Sequence, residues 1–172
     1  MNFKVILVGV IIFLIGLAGL LLLPLYFPNY SIVNNQYVKH YSTVTLPANA
    51  GKIVLTFIIT KENDSIIAFI KSGNANVSII NGTPPFHVVC NKQGMVSLIL
   101  SPGNYSMVIV NDESTPQNVT YTYGIFNAGF ITSFYNGLGI ITTIMEIIAV
   151  GGIALAFISL IYELLSIKRR KK

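Results

Sequence analysis

Met95-Val96-Ser97-Leu98-Ile99-Leu100-Ser101-Pro102-Gly103-Asn104-Tyr105-Ser106-Met107-Val108-Ile109-Val110-Asn111 reads as an apolar strand, a turn and a second apolar strand. Valine, isoleucine and tyrosine favour an extended chain, and side chains on a pleat alternate between faces, so Val96, Leu98 and Leu100 share one side. Pro102 fixes φ and Gly103 admits positive φ, which is the chemistry of a tight hairpin turn. The same alternation of short β-rich runs and turn residues extends outward in both directions. It predicts strands at about residues 37–46, 52–60, 65–71, 76–80, 86–91, 95–100, 105–111 and 119–126. Regular spacing of short strands is the mark of a sandwich or small barrel. The expectation is an all-β domain over residues 37–130, an antiparallel sandwich of about eight strands with a jelly-roll-like course. Ile66-Ile67-Ala68-Phe69-Ile70 is apolar on both faces, so this strand must be covered twice, or lie against a neighbour or a membrane surface.

Two apolar runs flank this domain. The chain is 53% hydrophobic and 10% charged with a mean hydropathy of +0.69, outside the range of ordinary soluble domains. Residues 5–23 carry no charge, and residues 138–162 carry one, Glu146. Each is long enough to cross a hydrocarbon core about 30 Å thick. Pro24 and Pro28 end the first run, leaving residues 24–36 as a stalk. A secretory signal is the competing reading of the first run. Its length, and the lack of a small-x-small pattern near Leu22 and Leu23, favour an uncleaved anchor. Basic residues near a span are retained in the cytoplasm. Lys4 in residues 1–4 and Lys168, Arg169, Arg170, Lys171 and Lys172 in the tail, residues 163–172, therefore place both termini inside and the middle outside. The five basic residues at 168–172 carry essentially all of the excess behind the net charge of +5 and read as an anchor for anionic headgroups. Without aromatic interleaving they make no nucleic-acid surface.

Six Asn-x-Ser/Thr triplets, at Asn29, Asn63, Asn76, Asn81, Asn104 and Asn118, fall between the two runs and none falls outside them. Each is an acceptor for N-glycosylation and so a claim of surface position on the exterior side. Hydropathy, basic-residue bias and these triplets use different residues and give the same topology, a plasma-membrane protein with an exterior central domain.

The segment from Leu98 to Asn111, an apolar strand, Pro-Gly-x-Tyr and an apolar strand ending in Asn, resembles the hairpin of pre-peptidase C-terminal domains and of Golgi-dynamics type domains of membrane cargo receptors. The resemblance covers the last part of the exterior domain. It implies a compact sandwich used for association and carries over no active site. The cargo-receptor pattern includes a cysteine pair, and this chain has Cys90 alone. Few exterior charges, many acceptor triplets and no tryptophan also resemble, in style, the surface proteins of thermoacidophilic archaea.

Catalytic and metal-binding patterns are not met. His87, Cys90, Met95 and Met107 with His40 suggest a blue-copper ligand set, but no histidine stands between Cys90 and Met95. On a strand His87 and Cys90 would also point to opposite faces, the histidine to solvent and the thiol to the core. Glu62, Asp64, Asp112 and Glu113 lie in predicted turns, where acids are ordinarily solvated; calcium held jointly by those loops is the alternative. No nucleophile elbow, phosphate-binding glycine loop or zinc-protease helix occurs. Neither an enzyme nor a cofactor is expected.

Glu146 is the costly residue, because a carboxylate within a span usually faces protein or water or is neutral; the expectation is a protonated side chain hydrogen-bonded within the hairpin of the two spans, and the alternative is contact with a partner subunit or a proton or ion path. Beside it Met145, Ala149, Gly152, Ala156 and Ser159 form a face of mostly small residues that admits a close helix, and Gly9 and Gly16 of the first run can supply the opposing surface. The functional expectation is a glycosylated, membrane-anchored, non-catalytic accessory or structural subunit that contacts lipid and, through its second span, other membrane proteins. The alternative is a free-standing module that recognises a glycan, a peptide or a surface-layer partner.

Overall fold

The computed structural model describes residues 3–82 and 86–170. Thr83, Pro84 and Pro85 of the expected turn after Asn81, and Lys171 and Lys172 of the tail, lie outside the described residues. The chain divides into two compact units, Ser31–Ser133 and the combination of Met1–Tyr30 with Phe134–Lys172.

The first unit is a sandwich of two four-stranded antiparallel sheets. Its strands are β1 (Ser42–Leu46), β2 (Ala50–Ile59), β3 (Ser65–Ser72), β4 (Asn76–Asn81), β5 (Val88–Gln93), β6 (Met95–Ile99), β7 (Gly103–Asn111) and β8 (Gln117–Phe126). One sheet has the order β1-β8-β3-β6 and the other β2-β7-β4-β5. The pairs β1·β8, β2·β7, β3·β6 and β4·β5 are nested, first with last and inward, which is a jelly-roll course. Between the sheets Leu46, Ile66, Val96 and Val119 of one meet Ile59, Val77, Ile79, Met107 and Ile109 of the other, all nearly or fully buried. Each such aliphatic side chain contributes about 1.5–3 kcal/mol.

The opening stretch is not a hairpin. β6 pairs with β3, whereas β7 pairs with β2 and β4, so Leu100 to Pro102 carry the chain from one sheet across to the other. Tyr105 donates its hydroxyl to the Ser101 carbonyl across this crossing, 3.0 Å away. Local pattern specifies strands and a turn, but not which sheet receives each strand.

A second difference concerns residues 30–39. The strand expected from residue 37 starts at Ser42, and Tyr30–Lys39 is a helix, α3. Val33 and Tyr37, four apart, fall on one face of it, with Asn34 and Asn35 exposed. Tyr37 lies edge-on to Phe69 of β3 and Phe126 of β8, with ring centroids 5.0 and 5.7 Å away, and its carbonyl accepts from the Thr122 hydroxyl. Tyr37 therefore covers the outer face of the sheet. This accounts for the doubly apolar β3, in which Ile66 and Ala68 enter the core and Phe69 meets α3.

In the second unit α1 (Phe3–Leu21) is followed by the single turn α2 (Leu23–Tyr26), and α4 (Ala128–Arg170), whose residues 128–133 belong to the sandwich unit, contains the run expected at 138–162 within a longer helix. The start of α4 is capped twice: Asn127 Oδ1 accepts from the Phe130 amide at 3.0 Å, and Asp64 Oδ1 accepts from the Ala128 amide at 2.7 Å. Asp64, expected to be a solvated turn acid, instead holds a helix terminus. Both long helices are long and apolar enough to cross a membrane.

Candidate functional site

α1 and α4 pack antiparallel through residues that lack bulk. A β-carbon on Gly9 would stand 2.8 Å from the Gly152 carbonyl and 2.7 Å from the Ala156 nitrogen, and one on Gly152 would overlap the Phe13 nitrogen. At the other end Gly19 faces the Met145 thioether. Backbone meets backbone here, which is the geometry small residues permit. Gly9, Gly16, Ala149 and Gly152 are buried, and Met145 and Ala156 half-buried, by this contact within one chain. Ser159 lines a shallow groove with Val5 and Tyr162. The side chains of Lys168, Arg169 and Arg170 are outside the described set.

The rest of the helical surface is uncovered. Leu7, Ile11, Leu14 and Ile15 of α1 and Ile140, Ile147, Val150, Phe157 and Ile158 of α4 are all exposed. Among them, Glu146 is exposed rather than turned toward α1. Asn136, Gly139 and Thr143, which no sequence motif marks, are exposed as well and fall on its side of α4. A β-carbon on Gly139 would meet nothing within 4 Å. In the sequence these residues stand at spacings of three, four and three within an apolar helix.

At one end of the sandwich the β7–β8 turn builds a polar network. Asn111 is fully buried; its amide donates to the Pro47 and Thr115 carbonyls at 2.8 and 2.9 Å, and its Oδ1 accepts from the Glu113 amide at 3.0 Å. Gln117 donates to Asn111 Oδ1 and to the Asn74 carbonyl. Outward from it lies a cleft of about 200 Å³ lined by Asn74, Asn76, Gln93, Asp112 and Glu113. Asn74 donates to Glu113, Gln93 donates to Asn74 at 2.6 Å, and Asn76 Nδ2 donates to Asp112 at 2.6 Å. The amide donors thus engage neighbours, with one oxygen of Asp112 and one of Glu113 accepting from them, and both acids are exposed. Glu62 and Asp64 are remote from this cleft, because Ile59 pairs with Gly103 and Ala50 with Asn111, which sets the two acidic turns at opposite ends of β2. The four acids do not converge, and no group of three or more His, Cys, Asp or Glu side chains fit to hold a metal occurs among the described residues.

The histidines and the cysteine are also apart. His87 is exposed, and Cys90 is half-buried against the core opposite Ile79. His40 stacks on Tyr123 in the other sheet, 4.3 Å between ring centroids, and its Nδ1 lies 3.2 Å from the Tyr123 carbonyl oxygen, so the proton sits on Nδ1. Burial, with Tyr121 nearby, holds the Tyr123 hydroxyl above the usual tyrosine range.

The acceptor asparagines differ in exposure. Asn29, Asn63, Asn104 and Asn118 are exposed, whereas Asn76 and Asn81 are half-buried. Asn29 has a left-handed backbone, with φ at 62°.

No protein family matches the chain, and no curated protein does. Among solved structures it is similar to PirA, at 15% identity over 49% of this chain and 93% of that one, with a TM-score of 0.35. It is also similar to a protein of the disulfide-linked pili of Bacillus endospore appendages, at 13% over 49% and 83% with a TM-score of 0.29. A third is the cupin domain of Schizosaccharomyces pombe Cnp3, at 23% over 49% and 54% with a TM-score of 0.26. Likenesses at these scores carry no argument about what this chain does.

Proposed function

We propose that the chain is a surface protein anchored in the plasma membrane by a helical hairpin, with both termini cytoplasmic and a glycosylated sandwich outside, serving as a non-catalytic accessory subunit of a membrane or envelope assembly. The observation that carries the reading is the exposed surface of the paired helices. α1 and α4 satisfy one another along one narrow seam and leave long rows of Leu, Ile, Val and Phe uncovered, as side chains facing lipid are. Thr143 and Glu146 interrupt those rows, and polar groups at such depth ordinarily face protein. The basic residues that follow the second run support the orientation. Extraction of the full-length protein in mild detergent, followed by native and intact mass analysis, tests the reading. A complex with other membrane proteins, glycan mass and a retained first helix are expected; a lone, unmodified monomer contradicts it.

The polar cleft supports a second reading, a recognition module. Asp112 and Glu113 at its rim present acceptors to a ligand rich in hydroxyl or amino groups. Binding of a glycan or peptide to the full-length protein that disappears in Glu113→Ala would favour this reading over the first.

A further inference from the structure

We propose that the α4 face carrying Asn136, Gly139, Thr143 and Glu146 docks a transmembrane helix of another protein, and that this helix bears a lysine or arginine at the depth of Glu146. The inference rests on the subunit reading and names the chemistry of its partner.

These four residues recur at spacings of three, four and three, the seam spacing of two helices packed side by side. At about 100° per residue the seam lies roughly 120° around α4 from the face that meets α1. Both faces can therefore be occupied at once. Gly139 leaves an open notch with nothing within 4 Å, so an incoming helix can approach closely there.

Charge decides what the incoming helix carries. Gly16 faces Met145 and Ala149, so Glu146 is level with the part of α1 around Gly16 and Gly19. Lys4, the basic residue of α1, lies roughly 18 Å farther along that helix at 1.5 Å per residue. The first basic residue of α4, Lys168, lies about 33 Å from Glu146 by the same rise. Neither helix can supply a counter-charge. A second copy of this chain, inserted with the same orientation, would bring Glu146 against Glu146 and supply no basic partner. A basic side chain from a different helix satisfies the carboxylate, while Asn136 and Thr143 give polar contacts along the same line.

The test uses the full-length protein in phosphatidylcholine vesicles with a labelled polyleucine helix bearing one central lysine, and the same helix with leucine in its place. Energy transfer to a label at the amino terminus reports association. The lysine helix is expected to associate at least tenfold more strongly than the leucine helix. Glu146→Gln should abolish that preference, and Gly139→Leu, which keeps the charge and fills the notch, should weaken binding of the lysine helix. Equal association of the two helices, an undiminished preference in Glu146→Gln, or a tight homodimer that excludes both helices overturns the proposal. Mild-detergent extracts separate this failure from that of the subunit reading: an assembly that persists in Glu146→Gln and Glu146→Leu overturns only the basic-partner proposal, whereas a lone wild-type monomer removes both.

Discussion

A β-carbon placed on Gly16 would stand 2.5 Å from the backbone nitrogen of Ala149, so the two helices touch through main chain at this level. No side chain there can swing aside. Gly16→Leu and Gly152→Leu should each force the hairpin apart and lower the unfolding temperature of the full-length protein in detergent. The expected cost is about 1–3 kcal/mol or more, typical of overpacking. Gly151→Leu serves as the control, since a β-carbon there meets nothing within 4 Å, and it should leave the transition unchanged.

Asn111 ties the β7–β8 turn to Pro47 through hydrogen bonds that water cannot replace at zero exposure. Asn111→Ala would leave the Pro47 and Thr115 carbonyls and the Glu113 amide without that partner, at a cost of at least about 2 kcal/mol. Chemical denaturation of the full-length protein in detergent should show it. A loss well below 1 kcal/mol would mean the turn repacks around the gap.

Glycan transfer requires the asparagine amide nitrogen, and in Asn76 that atom is donated to Asp112. On the proposed reading of a glycosylated exterior domain, site mapping by peptide mass spectrometry should therefore find Asn29, Asn63, Asn104 and Asn118 occupied more fully than Asn76. Asp112→Ala should raise occupancy at Asn76 while the four exposed sites stay constant. Full occupancy of Asn76 in the wild type would mean that modification precedes formation of this contact.

Tyr123 ionises above the usual tyrosine range because burial, then Tyr121, disfavours its phenolate. The neutral form is thus favoured by folding. Its contribution is complete below about pH 10, the unfolded value, and is lost as pH rises through the folded one. Tyr123→Phe should make the fall in stability above pH 10 shallower. An identical alkaline slope in the two proteins would assign that fall to other tyrosines.

Strand content and the apolar helices were legible because both depend on local periodicity. Ile66 to Ile70 announced cover on two faces, but Tyr37, the residue that provides it, read as a strand residue. A β-prone tyrosine beside Val38 outweighed the weaker helical spacing of Val33 and Tyr37. Tertiary contact with Phe69 and Phe126 reverses that preference. The pairing of β6 with β3 was hidden because a Pro-Gly turn has the same composition whether the chain returns within a sheet or crosses between two. Asp64 looked like any turn acid, since the amide it caps lies 64 positions away in the sequence. In the second unit the costly residue was visible, but its direction was not. One position separates Met145 from Glu146, and on a helix that is a rotation of about 100°, enough to exchange a neighbour's surface for an open one.

The nested order of the strands also sets a schedule. Ser42 finds its partner in Tyr121, so the first strand of the sandwich waits unpaired until nearly the whole domain has been synthesised. Such remote pairings slow folding, because the chain entropy of the large loop is lost before its contacts form. During biosynthesis the first strand would thus wait with Val44 and Leu46 uncovered. A chaperone acting at that stage would recognise the β1 segment, and a truncation upstream of Gln117 would leave that strand without its mate.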